Sequence, residues 1–248
     1  MNNRICISIP ITSEKLRVNL KIIEKALKGD PDFIELRFDY INDLTAINHH
    51  FLSSLVELIK SNCLCIFTFR SFKEGGKIEI EEVMRLEILK ELIKSHPDYL
   101  DIEMETEEFI LSQVISLAIN EKVNLLFSYH DFYKTAPLIE AQNRINLFIH
   151  RLKDKFKLNM NFIEIWIYKL IFTAETFNDN LIPLNLCASL SNKLNIVSFC
   201  MGKKGIFSRI FCTKFGSFLT YASLEKETAP GQLKIEKIRK YHKLLFNP

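Results

Sequence analysis

The sequence predicts an α/β protein folded as a (β/α)8 TIM barrel, a single domain over residues 1–248. Three observations lead there. Apolar, β-branched runs alternate eight times with longer amphipathic or charged stretches, the order of parallel strands joined by crossover helices. No Gly-x-Gly-x-x-Gly or P-loop follows any of these runs, so the runner-up, a doubly wound open sheet, lacks its nucleotide-binding anchor. Polar side chains also recur on one face at the strand ends, which is where barrel enzymes build their sites.

The predicted strands are 4–10, 33–39, 63–70, 99–105, 124–130, 162–169, 194–201 and 216–224, with helices at 14–28, 43–61, 80–95, 106–121, 137–155, 175–192, 204–213 and 232–245. The first strand opens almost at the N-terminus, with Ile5-Cys6-Ile7-Ser8-Ile9 and no signal-peptide architecture before it. The first helix has a start signal in Thr12-Ser13 and a stop signal in Gly29-Asp30. The sixth strand is apolar and rich in β-branched and aromatic residues, running from Phe162 through Ile163, Ile165 and Ile167 to Lys169. The last helix follows Thr228-Ala229-Pro230-Gly231-Gln232, which reads as a turn and N-cap or as a loop folding over the barrel mouth. No linker, low-complexity tract or short repeat interrupts the series, and no second domain is expected.

A hydrophobic content of 48% with 25% charged residues is that of a globular protein with a sizeable core. A net charge of +3 without a basic run points to no nucleic-acid or membrane partner. No apolar stretch reaches the roughly 20 residues that span a bilayer. Of the six cysteines none forms a C-x-x-C pair, and no histidines cluster at metal-ligand spacing. Reduced core cysteines, a cytoplasmic location and no metal are expected.

Strand parity supplies the chemistry. Glu35, Arg37 and Asp39 share one face of the second strand, Thr68 and Arg70 one face of the third, Asp101, Glu103 and Glu105 one face of the fourth, and Ser128 and His130 one face of the fifth. The first strand adds Ser8 and the sixth Lys169. A purely structural barrel fills such positions with apolar side chains, because buried charges are costly unless paired. On a strand over 162–169, Lys169 shares its face with Ile163, Ile165 and Ile167, a setting that favours the neutral, nucleophilic amine. Alone, such a lysine reads as snorkelling to water. Beside a histidine able to move protons near neutral pH, it reads as an imine-forming nucleophile for a ketone.

Around that pair, Arg70 is a donor fork for substrate oxygens or an ion-pair partner, and Gly75-Gly76 permits a tight path that turns Glu74 back to orient His130. Arg209 reads either as a solvated surface arginine or as a bidentate carboxylate binder. Phe199 and Met201 read as core residues or a site wall.

Taken in order, several segments resemble type I 3-dehydroquinate dehydratase, an enzyme family of the shikimate pathway. They are Glu35-Leu36-Arg37-Phe38-Asp39, Phe67-Thr68-Phe69-Arg70 with Glu74-Gly75-Gly76, Ser128-Tyr129-His130-Asp131-Phe132 and Lys169, then Met201-Gly202 with Gly205 and Ser208-Arg209, Phe215-Gly216-Ser217, and Ala229-Pro230-Gly231-Gln232. The resemblance implies that Lys169 forms a Schiff base with the ketone of 3-dehydroquinate. It implies that His130 removes the proton alpha to the imine carbon and later protonates the departing hydroxyl, with Glu74 positioning His130. It gives Arg209 the substrate carboxylate, and Ser8, Glu35, Arg37, Arg70, Thr228 and Gln232 the hydroxyl groups and the rest of the pocket. It further implies a (β/α)8 barrel, a homodimer, and a reaction without metal or other cofactor. Trp166 stands where the family commonly has Asp, Phe172-Thr173 replace a Met-Pro-like pair, Thr228 takes a position usually held by Ser, and Tyr221 one usually held by Phe.

Two other readings use the same residues. In a class I aldolase, Lys169 forms an imine but a C–C bond is cleaved; Gly202 and Gly205 are a thin version of the phosphate loop a sugar-phosphate aldolase carries. A diverged, non-catalytic barrel accounts for the altered sixth strand, but not for a polar mouth that keeps both His130 and Lys169.

Overall fold

The computed structural model describes residues 3–225 and 227–246; the ends of the expected 1–248 domain and Lys226 lie outside the described residues. Among the described residues, eight strands form one sheet: β1 (Ile5–Pro10), β2 (Phe33–Arg37), β3 (Leu64–Thr68), β4 (Tyr99–Glu103), β5 (Asn124–His130), β6 (Ile167–Thr173), β7 (Asn195–Met201) and β8 (Thr220–Ser223). The order is β7-β6-β5-β4-β3-β2-β1-β8. Parallel strands laid down sequentially, with the last returning beside the first, are the topology of a (β/α)8 barrel. The helices are α1 (Leu16–Leu27), α2 (His49–Lys60), α3 (Glu82–Lys94), α4 (Glu108–Asn120), α5 (Leu138–Asp154), α6 (Met160–Ile165), α7 (Leu181–Leu190), α8 (Ile206–Phe211) and α9 (Ile235–Phe246).

The chain forms two compact units, one of Cys6–Leu125 and one of Met1–Ile5 with Leu126–Pro248. In the first, β2 pairs with β1 and β3 so that Ser8 lies opposite Glu35 and Arg37 opposite Thr68, while Thr68 lies opposite Asp101 of β4. Alternation then sends Ile7, Ile9, Ile34, Leu36, Cys65, Phe67, Leu100 and Ile102 to the other face, where each is fully buried or nearly so. Leu52, Leu55 and Ile59 of α2 and Leu89, Leu92 and Ile93 of α3 are likewise buried. Each such aliphatic side chain contributes about 1.5–3 kcal/mol on leaving water. The two strand faces therefore divide the labour: one is hydrocarbon and the other holds the charges.

In the second unit the longest ladder joins β6 to β7, from Ile167 opposite Asn195 to Thr173 opposite Met201. Behind it Phe127 meets Phe148 and Trp166 edge-on, at ring separations of 4.8 and 5.4 Å. The Thr220 N–H at the start of β8 donates to the carbonyl of Arg4 (3.0 Å), and the Phe218 N–H, two residues earlier, donates to that of Ile196 on β7 (2.6 Å).

The sixth strand differs from its expected limits. Residues 160–165 are the short helix α6, capped by Asn159, whose Oδ1 accepts the Phe162 N–H at 3.3 Å. Ile163 and Trp166 are buried and Ile165 is about half exposed, a spacing of three rather than two. Ile163 and Ile165 therefore do not share a strand face with Lys169. Ile167 and Ile171 do, and the strand runs on through Phe172-Thr173. The helix expected over 204–213 is also shorter: α8 is flanked by 3-10 turns at Lys203–Gly205 and Cys212–Phe215.

Candidate active site

Lys169 is the third residue of β6, 3% exposed, with Ser128 of β5 and Val197 of β7 as its register partners. Its Nζ lies 4.9 Å from the centre of the Tyr221 ring on β8, close enough for the ring face to attract an ammonium or iminium. His130 closes β5 on the same face as Ser128, half-buried and stacked on Phe132. The turn beyond it is fixed by Asp131, whose Oδ1 accepts the N–H groups of Tyr133 and Lys134 at 2.9 and 3.0 Å.

Arg209 comes from α8, and the helix is fastened before the arginine is presented. The Ser208 Oγ accepts the Cys200 N–H of β7 (2.9 Å), and the Ser208 N–H donates to Oδ1 of the fully buried Asn180 (2.9 Å). The guanidinium lies over the Phe199 ring at 4.3 Å and donates from Nη1 to the Tyr221 carbonyl at 3.4 Å, while Nε and Nη2 are buried without a hydrogen-bond partner. Burial pulls its pKa down to about 10, only partly offset by Cys212 and Glu227 nearby. It is still a cation at neutral pH. A buried cation with two unused donors in a fork has the chemistry to receive a carboxylate.

The Thr228–Gln232 loop is folded back on itself. Gln232 Oε1 accepts from the Thr228 N–H and hydroxyl, at 2.8 and 3.1 Å. The Gly202 N–H donates to the Pro230 carbonyl (3.1 Å), which pins the loop beside the end of β7. Gly231 sits at φ +76°, and a Cβ there would lie 2.5 Å from the Gly202 carbonyl oxygen.

The first unit holds the remaining sequence-predicted residues as a hydrogen-bonded array. Glu35 accepts from the hydroxyls of Ser8 and Thr68. Arg37 donates to both oxygens of Asp39 (2.8 and 2.9 Å); burial lowers the Arg37 pKa, but Asp39 outweighs it and the net shift is upward. Arg70 donates from Nη1 to Glu103 and from Nη2 to Asp101, both at 2.7 Å. Burial again opposes its charge, and the two carboxylates hold its pKa well above the ordinary value. Glu74 is buried in a 3-10 turn, Phe72–Glu74. That turn closes through Gly76, whose N–H donates to the Ser71 carbonyl at 2.9 Å and whose Cα leaves no room for a side chain: a Cβ would fall 2.1 Å from the Arg70 carbonyl oxygen.

The structure thus gathers His130, Lys169, Arg209, Thr228 and Gln232 in one unit, and Ser8, Glu35, Arg37, Arg70 and Glu74 in the other. Strand parity missed Arg85 of α3, which is 3% exposed and bonded to Glu103. Its signal lay in helix periodicity: Arg85 stands four and seven residues before Leu89 and Leu92, on the buried stripe. It also missed Asn180, for which no spacing rule exists.

Fold and site define an enzyme of the (β/α)8-barrel class, and its relatives make it a carbon–oxygen lyase. The family model "Type I 3-dehydroquinase" matches residues 5–247, and the chain belongs to that family. It is 30% identical over 220 residues to the 3-dehydroquinate dehydratase of Thermococcus onnurineus, covering 89% of this chain and 90% of the relative. It is 30% identical over 240 residues to that of Methanococcus maripaludis, covering 96% and 99%. Among solved structures, the 3-dehydroquinate dehydratase from Geobacillus kaustophilus superposes with a TM-score of 0.83 at 22% identity, covering 100% of this chain and 93% of that one. The enzyme from Aquifex aeolicus gives 0.74 at 26%, covering 99% and 100%.

Proposed function

We propose that this chain converts 3-dehydroquinate to 3-dehydroshikimate through an imine on Lys169. The observation that carries the reading is the arrangement around Tyr221: its ring faces the Lys169 ammonium, and its carbonyl holds an arginine with two unused donors. An amine and a carboxylate receptor placed against one residue suit a keto acid.

The neutral Lys169 amine adds to the ketone, and loss of water leaves a protonated imine. His130 removes the alpha proton, and the electron pair moves into the imine, which acts as the sink. The resulting enamine expels the beta hydroxyl, which takes the proton held by His130 and leaves as water. Hydrolysis of the conjugated imine releases the enone and restores Lys169. Arg209 anchors the carboxylate. Ser8, Glu35, Arg37, Arg70, Thr228 and Gln232 hold hydroxyl groups or complete the pocket, and Glu74 is the positioning carboxylate of the family pattern. No step calls for a metal or other cofactor. The same reading makes residues 1–248 one catalytic domain and the enzyme a cytoplasmic homodimer. The family match favours elimination of water over the aldolase alternative.

Borohydride reduction in the presence of 3-dehydroquinate, followed by peptide mass mapping, tests the reading. A reduced adduct on Lys169 supports it. Turnover with no trapped adduct, or an adduct on another lysine, refutes it.

A further inference from the structure

Arg85 belongs to the Arg70 cluster without belonging to any strand. From α3 it directs Nη2 at Glu103 Oε2 and Nη1 at Glu82 Oε2, the latter at 3.3 Å. The other oxygen of Glu103 accepts from Arg70 Nη1 at 2.7 Å and from the Ser71 N–H at 2.9 Å. Glu103 is therefore clamped from two sides, with both oxygens engaged and its rotamer fixed. Charge leads to the same residue. Glu103 is 3% exposed, and Arg85, equally buried, sets a second guanidinium against the carboxylate that Arg70 already holds. Glu82 lies at the rim, its side chain 31% exposed, and is solvated there.

We propose that Arg85 is a positioning residue for substrate binding: by holding Glu103, it fixes the direction in which Arg70 presents its guanidinium. Arg85 itself touches no substrate. The inference rests on the reading of Arg70 as a substrate-binding residue, and it assigns a determinant of affinity to a helix outside the strand ends.

The test is a kinetic comparison of R85M, R85K, R70M, E103Q and the R85M/E103Q double variant with 3-dehydroquinate, each with a thermal melt. R85M is expected to raise KM about tenfold and leave kcat within about twofold, the signature of lost uniform binding. R85K should recover most of the loss. In the E103Q background, R85M should add less than about twofold, because the relay is already cut. A group that serves only the fold would lower the melting temperature but leave KM of the folded enzyme unchanged. Wild-type KM in R85M while R70M raises it overturns the proposal, as does a full R85M effect in the E103Q background. Wild-type KM in R70M removes the reading of Arg70 and the proposal with it. If R85M does not fold, R85Q against R85K carries the same comparison.

Discussion

Lys169 and His130 lie on the same face of adjacent strands, one diagonal step apart. Lys169 is in register with Ser128, and His130 follows two residues later. With strands about 4.8 Å apart and a rise of about 3.3 Å per residue, their Cα atoms are separated by about 8 Å. Two side chains rising from one face at that spacing can both reach the same small molecule. Both ends belong to regular strands, so backbone ladders hold the spacing.

Arg209 is expected to serve binding at a cost to the fold. Arg209→Met should raise KM about 100-fold, through loss of a charge-assisted fork. The unliganded variant should melt at the wild-type temperature or up to about 4 °C above it, because a buried cation only partly compensated is gone. Saturating 3-dehydroquinate should raise the melting temperature of the wild type but not of the variant. A variant that binds like the wild type would remove Arg209 from the site.

Gly231 makes a second prediction. Gly231→Ala places a methyl group against the Gly202 carbonyl and forces a left-handed backbone on an alanine, a strain of about 1–3 kcal/mol. The Thr228–Gln232 loop should detach from Gly202, so limited proteolysis should cut there faster and KM should rise. Unchanged protection together with unchanged KM would show that the loop does not depend on this contact.

The pH dependence of stability should carry a contribution from His242. Burial, the largest effect, holds its pKa below the ordinary 6.5, while its hydrogen bond to the Ile210 carbonyl acts the other way and Lys214 and Arg239 add to the lowering. As pH falls through about 6.5 the unfolded chain takes up this proton before the folded one does. Stability is therefore lost below about pH 6.5, and the loss levels off beneath the folded value. Melting curves from about pH 7.5 to about pH 5 should slope less for His242→Gln than for the wild type. Parallel slopes would assign the acid sensitivity elsewhere.

Much of this was legible in the sequence because strands alternate. Parity alone put Glu35 with Arg37, Ser128 with His130 and Asp101 with Glu103, and β2, β4 and β5 carry each pair on one face. Parity failed before the sixth strand, where a run of isoleucines carried both periods and the deciding signal was the Asn159 cap of α6. The seclusion of Lys169 came out as expected for a different reason: Ile171, Ser128 and Val197 surround it in place of Ile163 and Ile165. For Arg209 the sequence left surface solvation as the simpler reading, because the bond that fastens α8 runs from Ser208 to Asn180, 28 residues away. The partners of Arg70 were visible as acidic residues on β4, but their pairing is a three-dimensional fact.

The most direct measurement uses His130→Ala, incubated with 3-dehydroquinate, trapped with borohydride and assayed in parallel for enone formation. The expected result is a reduced adduct on Lys169 carrying the intact, unreacted carbon skeleton, with enone formation slower by about 100-fold or more. Enone formation at the wild-type rate would contradict the account, because the proton would then be moved by some group other than the imidazole beside Lys169.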